Sequence, residues 1–191
     1  MNSSYEAATI LLVSGTSHEG KGELRQALAQ YDKAIVMAPT FFQAYLKRGG
    51  VFELTSQPER ALAEFTKAVE TAPRERLAYI SRADACKALG LFDLAIADSS
   101  TAIRIDPTYV GGYLRRGAYY HEIGDFPRAI EDYDKAIELA PESLGGIYRR
   151  GVAYQSLGKR DMAIAGFRSV LALRPAHTEA LARLEKLHVI P

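Results

Sequence analysis

Few side chains in this sequence are of a type that performs covalent chemistry. Cys86 is the only cysteine, and the four histidines, His18, His121, His177 and His188, lack the spacing of metal ligands. We expect Cys86 to be a small core residue and not a reactive thiol. The sequence also has no phosphate-binding glycine loop, dinucleotide fingerprint or HExxH zinc motif. These observations predict a protein that is not an enzyme and that uses neither a cofactor nor a metal.

Arginine side chains offer a different chemistry, which is the binding of acidic groups. Arg115 and Arg149 lie 34 residues apart in similar surroundings, and a guanidinium can hold a carboxylate through paired hydrogen bonds. The chain as a whole has a net charge of only +1, which gives no case for nucleic acid or an anionic membrane as the partner. A local basic surface for an acidic peptide is therefore the more specific expectation.

The spacing of 34 residues runs through nearly the whole chain. Five prolines have this spacing: Pro39, Pro73, Pro107, Pro141 and Pro175. Counting each block from the residue 31 before its proline, position 20 is always alanine, and position 8 is glycine or alanine. Position 24 is aromatic except at Ser99, and position 15 is glycine except at Ser56. Five prolines in register are a specific signal of an internal repeat.

Each block predicts two α-helices joined by a turn. Apolar residues recur at helical spacing in both halves of the block. The residue at position 15 suits the left-handed conformation that follows a helix, and the proline ends the second helix. The small residues at positions 8 and 20 allow the two helices to approach closely. One such pair cannot bury its apolar face alone, so neighbouring pairs must stack.

This pattern resembles the tetratricopeptide repeat family, and the resemblance covers residues 8–177. It implies an all-α fold, an α-solenoid with the form of a right-handed superhelix, in which the first helices line a concave groove. We expect a single domain over residues 1–191. Its parts would be five repeats, 8–41, 42–75, 76–109, 110–143 and 144–177, and a capping helix at 178–190.

The resemblance also implies a function, which is a non-catalytic scaffold or adaptor that binds a peptide in the groove. In this family, positions 2, 5, 6, 9, 12 and 13 of the first helix usually line that groove. The candidate binding residues here are Leu46, Lys47, Ile80, Gly111, Leu114, Arg115, Tyr148 and Arg149. The bare backbone at Gly111 and Gly145 would allow a peptide chain to come close. No repeat carries the lysine and asparagine set that clamps chaperone tails, so that subclass is disfavoured.

Four arginines at position 7 have a competing structural interpretation. These are Arg48, Arg82, Arg116 and Arg150. Their regular recurrence beside the helix crossing favours an ion pair with a carboxylate of the second helix over contact with a ligand. Asp132 and Asp134 of the second helices are interpreted as part of a solvated outer face.

The first helix differs most from the family pattern, because Ile10, Leu12 and Val13 make it apolar on several sides. Either neighbouring turns cover Ile10 and Val13, or the helix packs against a partner, which predicts a possible homodimer through these three residues. The apolar run 7–13 is too short to span a bilayer, and no Lys or Arg precedes it as in a signal peptide. We therefore expect a cytoplasmic protein, either complete or as a fragment of a larger one.

Three further expectations are local. Ser3 with Glu6 is predicted to form a capping box at the start of the first helix, which would run from about Ser4 to Glu19. Thr40 with Gln43 is predicted to form a second capping box at the start of the second repeat. Pro58 suits the first position of a helix. In the third repeat, position 8 is Ala83, position 11 is Cys86 and position 24 is Ser99, all of which are small, and we expect Phe92 to fill part of the gap. We expect this repeat to be underfilled and the least stable of the interior ones.

Overall fold

The computed structural model describes residues 3–187 and residue 189, and all regular secondary structure among them is α-helical. The helices are α1 (Ser3–Gly20), α2 (Leu24–Met37), α3 (Phe42–Leu54), α4 (Pro58–Thr71), α5 (Arg76–Ala88), α6 (Phe92–Ile105), α7 (Val110–Glu122), α8 (Phe126–Leu139), α9 (Leu144–Ser156), α10 (Arg160–Leu173) and α11 (Thr178–Lys186). The predicted all-α fold of stacked helix pairs is therefore confirmed. Helices α3, α5, α7, α9 and α11 each begin at the first position of a 34-residue block.

The chain divides into two compact units, residues 1–105 and 106–191, which we call unit 1 and unit 2. In unit 1, the antiparallel partners are α1 with α2, α3 with α4, and α5 with α6, and neighbouring pairs stack through α2 on α3 and α4 on α5. In unit 2, α7 pairs with α8 and α9 with α10, α8 packs on α9, and α11 packs on α10. Each unit thus has the nearest-neighbour packing of a repeat protein.

The turn between the two helices of a repeat requires a left-handed residue. Gly22, Gly90, Gly124 and Gly158 occupy this position with φ of 75°, 73°, 80° and 72°. Ser56 holds the same position with a φ of 55°, although a side chain disfavours this conformation. The glycine expected to follow each first helix is therefore explained by the geometry of the turn, and the second repeat forms the same turn at a conformational cost.

A close contact between positions 8 and 24 forms the centre of most repeats. A Cβ atom placed on Gly15, Gly49, Gly117 or Gly151 would lie between 2.4 and 2.9 Å from the aromatic ring at position 24 of the same repeat. Those rings, which are all at least 98% buried, belong to Tyr31, Phe65, Tyr133 and Phe167. The glycine is therefore needed to admit the ring, and the ring fills the space that the glycine leaves.

The third repeat lacks both members of this contact. Ala83 and Ser99 replace the glycine and the aromatic residue, and both are fully buried. Cys86 is 1% exposed, as expected of a core residue, and burial raises the pKa of its thiol. The Ser99 hydroxyl makes no hydrogen bond in the described part of the chain. Ser99 is smaller than the ring it replaces and Ala83 is larger than glycine, so the lower stability expected of this repeat stays a prediction.

Several predicted helix ends are wrong by a few residues. Ser3 is already helical and α1 extends to Gly20, so Ser3 is not the N-cap. Helix α3 starts at Phe42 with Phe41 at its N-cap position, and no side chain caps it. The capping box expected at Thr40 is therefore absent.

Thr40 has another contact, and the start of α4 and the end of α11 can also be compared with the predictions. The Thr40 hydroxyl hydrogen-bonds to the Tyr5 hydroxyl instead of capping α3. Pro58 is the first residue of α4, as predicted. Helix α11 ends at Lys186, short of the predicted end at 190, and residue 190 itself lies outside the described residues.

No helix within residues 3–187 is both long enough and apolar enough to cross a membrane.

Candidate functional site

The position 7 arginines form the structural ion pairs that the sequence favours. In unit 2, Arg116 donates from Nε and Nη2 to the two carboxylate oxygens of Asp132, at 2.9 and 2.7 Å. In unit 1, Arg82 binds Asp98 in the same two-pronged geometry, with both distances at 2.7 Å. The hydrogen bonds that the two guanidinium groups donate to these aspartates raise the pKa of both arginines. Each pair ties the first helix of a repeat to its second helix.

The expectation that Asp132 lies on a solvated face is wrong, because the residue is only 4% exposed. Burial requires its charge to be paired, and Arg116 supplies the partner. Asp134 is exposed, as expected, yet it also has a structural contact, since Arg150 donates to its carboxylate at 2.5 Å. Arg150 thereby links α9 to the second helix of the preceding repeat.

Arg48 combines both arrangements in unit 1. It donates to Glu64 of its own repeat at 2.7 to 2.9 Å and to Asp32 of the preceding repeat at 2.6 Å. All four position 7 arginines are therefore used in holding helices together. Any basic surface for a ligand must be built from other residues.

Unit 2 contains such a surface, a concavity of about 270 Å³ between α7, α9 and α11. Its lining residues are Ala118, His121, Glu122, Tyr133, Tyr148, Arg149, Val152 and Arg183. We call it the unit 2 pocket. Tyr148 and Arg149 are two of the candidate residues that the sequence analysis names, and the structure brings them to the same opening.

The polar groups of the unit 2 pocket are held by neighbouring side chains. Burial raises the pKa of Tyr133 to about 12, and a hydrogen bond from Arg149 partly opposes this shift. Arg183 donates from Nη1 to Oε1 of Gln155 at 2.9 Å. His121 Nε2 lies 3.4 Å from the Ser156 hydroxyl. The pocket is therefore largely organised before any ligand arrives.

Aromatic contacts fix the wall of the pocket. The Tyr148 ring lies with its centroid 5.7 Å from that of Phe167 and 5.3 Å from that of His177. Phe167 is fully buried, so Tyr148 rests on the core of unit 2. The result is a rigid apolar wall next to cationic side chains.

The other candidates in unit 2 lie on or under this face. Leu114 is half-buried and packs on the core around Tyr133. Arg115 is also half-buried, and its Nη1 lies 3.4 Å from the carbonyl oxygen of Gly111. The expected opening above Gly111 is not available, because the ring of Tyr109 covers it and would lie 2.5 Å from an added Cβ atom.

Gly145 differs from Gly111, since no atom lies within 4 Å of an added Cβ atom there. It therefore keeps the bare backbone that the sequence suggests. Only one of the two glycine positions fits the expected close approach of a peptide.

The candidate binding residues of unit 1 are less suited to contact a ligand than those of unit 2. Ile80 is only 2% exposed, so its assignment to a binding surface is wrong and it belongs to the core. Leu46 packs mainly between two core clusters, and Lys47 is half-exposed. Burial and the nearby charge of Asp84 raise the pKa of Glu53 on the same face. Unit 1 therefore carries two acidic groups close together on this face.

No cluster of three or more potential metal-ligating side chains occurs among the residues that the structure describes.

Comparison with protein families agrees with the geometry of the repeat. Tetratricopeptide repeat models match residues 12–70 and 55–110, residues 111–143, and residues 145–177. The chain belongs to the tetratricopeptide repeat family. A search of curated protein sequences gave no match.

Several solved structures are similar to this tetratricopeptide repeat protein. A crystal structure of MamA has 26% sequence identity and a TM-score of 0.80, over 91% of this chain and 95% of that one. YrrB, described as a TPR protein with an unusual peptide-binding site, has 20% identity and a TM-score of 0.78, over 92% and 90% of the two chains. A tetratricopeptide repeat protein from Parabacteroides merdae has 19% identity and a TM-score of 0.85, over 96% and 74%. Family and fold together support a protein-interaction scaffold.

The lining residues of the unit 2 pocket that were not among the candidates include Tyr133, His121 and Arg183. Arg183 is the sixth residue of α11, which is the position that Arg149 has in its repeat. Extending the repeat numbering into the capping helix would have identified it. His121 stands at position 12, which the family pattern already assigns to the groove. Tyr133 gave no such signal, because position 24 is a core position in every repeat.

Proposed function

We propose that this tetratricopeptide repeat protein is a non-catalytic scaffold that binds an acidic peptide segment with apolar anchors. The observation that carries the proposal is the pair of guanidinium groups at the unit 2 pocket. Among residues 3–187, Arg149 and Arg183 form no salt bridge: Arg149 hydrogen-bonds to the neutral Tyr133 side chain, and Arg183 donates to the neutral amide of Gln155. Their positive charge is therefore available to a ligand.

The chemistry of the unit 2 pocket suits a carboxylate beside an apolar side chain. Arg149 and Arg183 can donate charge-assisted hydrogen bonds to the acid. Tyr148, Val152 and Ala118 supply the apolar surface. Glu122 on the rim is exposed and would oppose a second negative charge, which favours a single carboxylate at this point.

Residues outside the pocket extend the proposed contact surface. Arg115, Leu114 and Gly145 lie on the same face of the first helices of unit 2. In unit 1, Lys47 and the edge of Leu46 stay as proposed contacts of a longer ligand. Positive charge on this face would also speed the encounter with an acidic partner.

A charge-reversal pull-down tests the proposal. Tagged wild-type protein and the Arg149→Glu/Arg183→Glu variant are each incubated with lysate, and bound proteins are quantified by mass spectrometry. The control is Arg168→Glu/Arg174→Glu, which makes the same change of charge at two exposed residues of unit 2. We expect the wild type and the control to capture proteins that the pocket variant does not.

Equal capture by all three proteins, with unchanged circular dichroism spectra, would reject the unit 2 pocket as the binding site. A direct titration of one captured partner's acidic segment against wild type and variant then measures the loss of affinity. Removing charge-assisted hydrogen bonds is expected to weaken binding by about tenfold or more.

A second candidate function is self-association through α1, and one observation favours it. Ile10 is 71% exposed and Val13 is 64% exposed, so the view that neighbouring turns cover them is wrong. Leu12 is not part of this exposed face, because it packs into the core beneath α1. We propose that Ile10 and Val13 would be central to any homodimer.

Light scattering over a concentration series tests this second candidate. Ile10→Glu should lower the mass of a dimer to that of a monomer. Val36→Glu is the matched control, because Val36 is 81% exposed on α2. A wild-type protein that is monomeric at all concentrations would eliminate the homodimer.

A further inference from the structure

Unit 1 contains two concavities that are built from the same seven repeat positions, one repeat apart. The first is lined by Leu28, Asp32, Arg48, Phe52, Arg60, Ala63 and Glu64. The second is lined by Leu62, Thr66, Arg82, Cys86, Leu94, Ala97 and Asp98. Their volumes are about 250 and 340 Å³. Because each residue of the second lies 34 positions after its counterpart in the first, the two can be compared residue by residue.

Two side chains of the first concavity, Phe52 and Arg60, pack on one another and fill part of it. The Arg60 guanidinium carbon lies 3.9 Å from the centroid of the Phe52 ring, in a cation–π contact. The same pair recurs in unit 2, where Arg128 lies 4.4 Å from the centroid of the Tyr120 ring. We call this combination of an aromatic residue at position 11 and an arginine at position 19 the aromatic lid.

The second concavity, which we call the α4–α6 pocket, has lost both parts of the lid. Cys86 stands in place of the ring and Leu94 in place of the arginine. Leu94 is 55% exposed at the edge, and Cys86 is 1% exposed at the base. Phe92, which the sequence analysis expects to fill part of the gap in this repeat, does not line the pocket. The α4–α6 pocket therefore lacks both the aromatic ring and the arginine that line the first concavity.

The charges in the wall indicate a neutral occupant. Arg82 and Asp98 neutralise one another through two hydrogen bonds of 2.7 Å. The Thr66 hydroxyl donates to the carbonyl oxygen of Leu62 at 2.8 Å. The polar groups of the wall are thus satisfied within the protein, and the remaining lining is aliphatic. A charged ligand would lose hydration here without gaining a new partner.

We propose that the α4–α6 pocket binds an aromatic side chain of a partner protein, in the place that corresponds to Phe52 of the first concavity. The incoming ring would pack on Leu62 and Cys86, with Leu94 at its edge. This docking site lies on different helices from the unit 2 pocket and does not depend on the peptide-binding proposal.

Blocked amino acids serve as probes, because they carry one side chain in a peptide-like setting. ¹⁵N-labelled full-length protein is titrated with N-acetyl-phenylalanine amide, and the amide shifts are followed by NMR. Shifts are expected at the backbone amides of Leu62, Cys86, Leu94 and Ala97. N-acetyl-glutamine amide is the negative control, and N-acetyl-leucine amide tests the preference for a ring.

Matched variants close one pocket and open the other. Cys86→Phe/Leu94→Arg builds the aromatic lid into the α4–α6 pocket and is expected to weaken the probe's binding by about tenfold or more, since it occupies the same volume. Phe52→Cys/Arg60→Leu removes the lid from the first concavity, which is expected to gain comparable binding there.

Three outcomes would overturn the proposal. They are no shifts in the wild type up to the solubility limit of the probe, equal binding to the closed variant, or tighter binding of the leucine probe than of the phenylalanine probe. If the closed variant fails to fold, the wild-type comparison of the three probes and the opened variant still decide between these results.

Discussion

The helix pairs α5/α6 of unit 1 and α7/α8 of unit 2 share an ion pair and buried alanines, which we call the repeat frame, but differ in the side chains packed around them. Both have a two-pronged arginine–aspartate pair, and both bury alanines at positions 20 and 27. The pair α7/α8 adds Gly117, Tyr133 and the lid of Tyr120 and Arg128. The pair α5/α6 has Ala83, Ser99, Cys86 and Leu94 at those positions. The ion pair and the small residues therefore define the frame, while the aromatic residues decide whether it is closed.

This comparison also separates two kinds of substitution. Ala83 and Ser99 change together, since a Cβ atom at position 8 and a ring at position 24 would collide. Cys86 and Leu94 also change together, but their effect is at the surface, where they leave the α4–α6 pocket open. The third repeat therefore avoids a collision between positions 8 and 24, but its α4–α6 pocket lacks the aromatic lid.

The largest expected effect concerns the shared ion pair. Arg116→Met would leave the buried Asp132 carboxylate without its partner and should cost about 3–5 kcal/mol of unfolding free energy. Arg150→Met is the control, because its partner Asp134 is exposed, and it should cost less than about 1 kcal/mol. Urea denaturation measures both. Equal losses in the two variants would contradict the assignment of a buried pair.

The coupled positions 8 and 24 give the next effect. Ser99→Phe alone should destabilise the protein by about 1–3 kcal/mol, because the ring would meet the Cβ atom of Ala83. Adding Ala83→Gly should restore most of this loss and produce a favourable coupling of about 1–3 kcal/mol. A thermal denaturation cycle of the two single variants and the double variant tests this. Additive effects would show that the two positions are independent.

The turn of the second repeat should show a smaller effect. Ser56→Gly should stabilise the protein by about 0.5–1 kcal/mol, since glycine adopts the positive φ without steric cost. Gly124→Ser in unit 2 is the reverse change at the equivalent turn and should destabilise by a similar amount. Melting temperatures that move in the same direction for both variants would refute this explanation.

The smallest expected effect is the pH dependence from Glu53. Burial and Asp84 raise the pKa of Glu53 in the folded state, so the folded protein binds this proton more tightly than the unfolded chain. Stability should therefore fall as pH rises from the ordinary carboxyl pKa near 4.5 through the raised value. Because the side chain is partly solvated, the contribution should be below about 1 kcal/mol.

Glu53→Gln tests this contribution, since it removes the titration and nearly keeps the shape. Urea midpoints between acidic and neutral pH should decline less in the variant than in the wild type. A steeper decline in the variant would show the opposite sign. Glu122→Gln on the exposed rim of unit 2 is the matched control for the loss of one carboxylate.

Much of the candidate surface in unit 2 could be anticipated because first-helix positions repeat. Tyr148 and Arg149 were named from their positions alone, and both line the unit 2 pocket. The position 7 arginines were also correctly interpreted as structural. Ile80 was misassigned, because the same repeat position is half-exposed at Tyr148 and buried at Ile80, and this difference arises from packing around each residue.

The amino-acid sequence by itself determined the frame of this protein. Proline at every 34th residue, small residues at the helix crossing and a left-handed turn residue act locally, and local rules repeat along a chain. They define the helices and their pairing with no need for distant contacts.

Only the tertiary structure decided which surfaces are open. The ring of Tyr109 over Gly111, the burial of Asp132 against Arg116 and the empty lid position at Cys86 depend on side chains from neighbouring helices. Exposure is set by the whole set of packed neighbours, and identical positions in successive repeats have different neighbours. A binding surface therefore requires the folded units, whereas the repeat frame follows from the order of the residues.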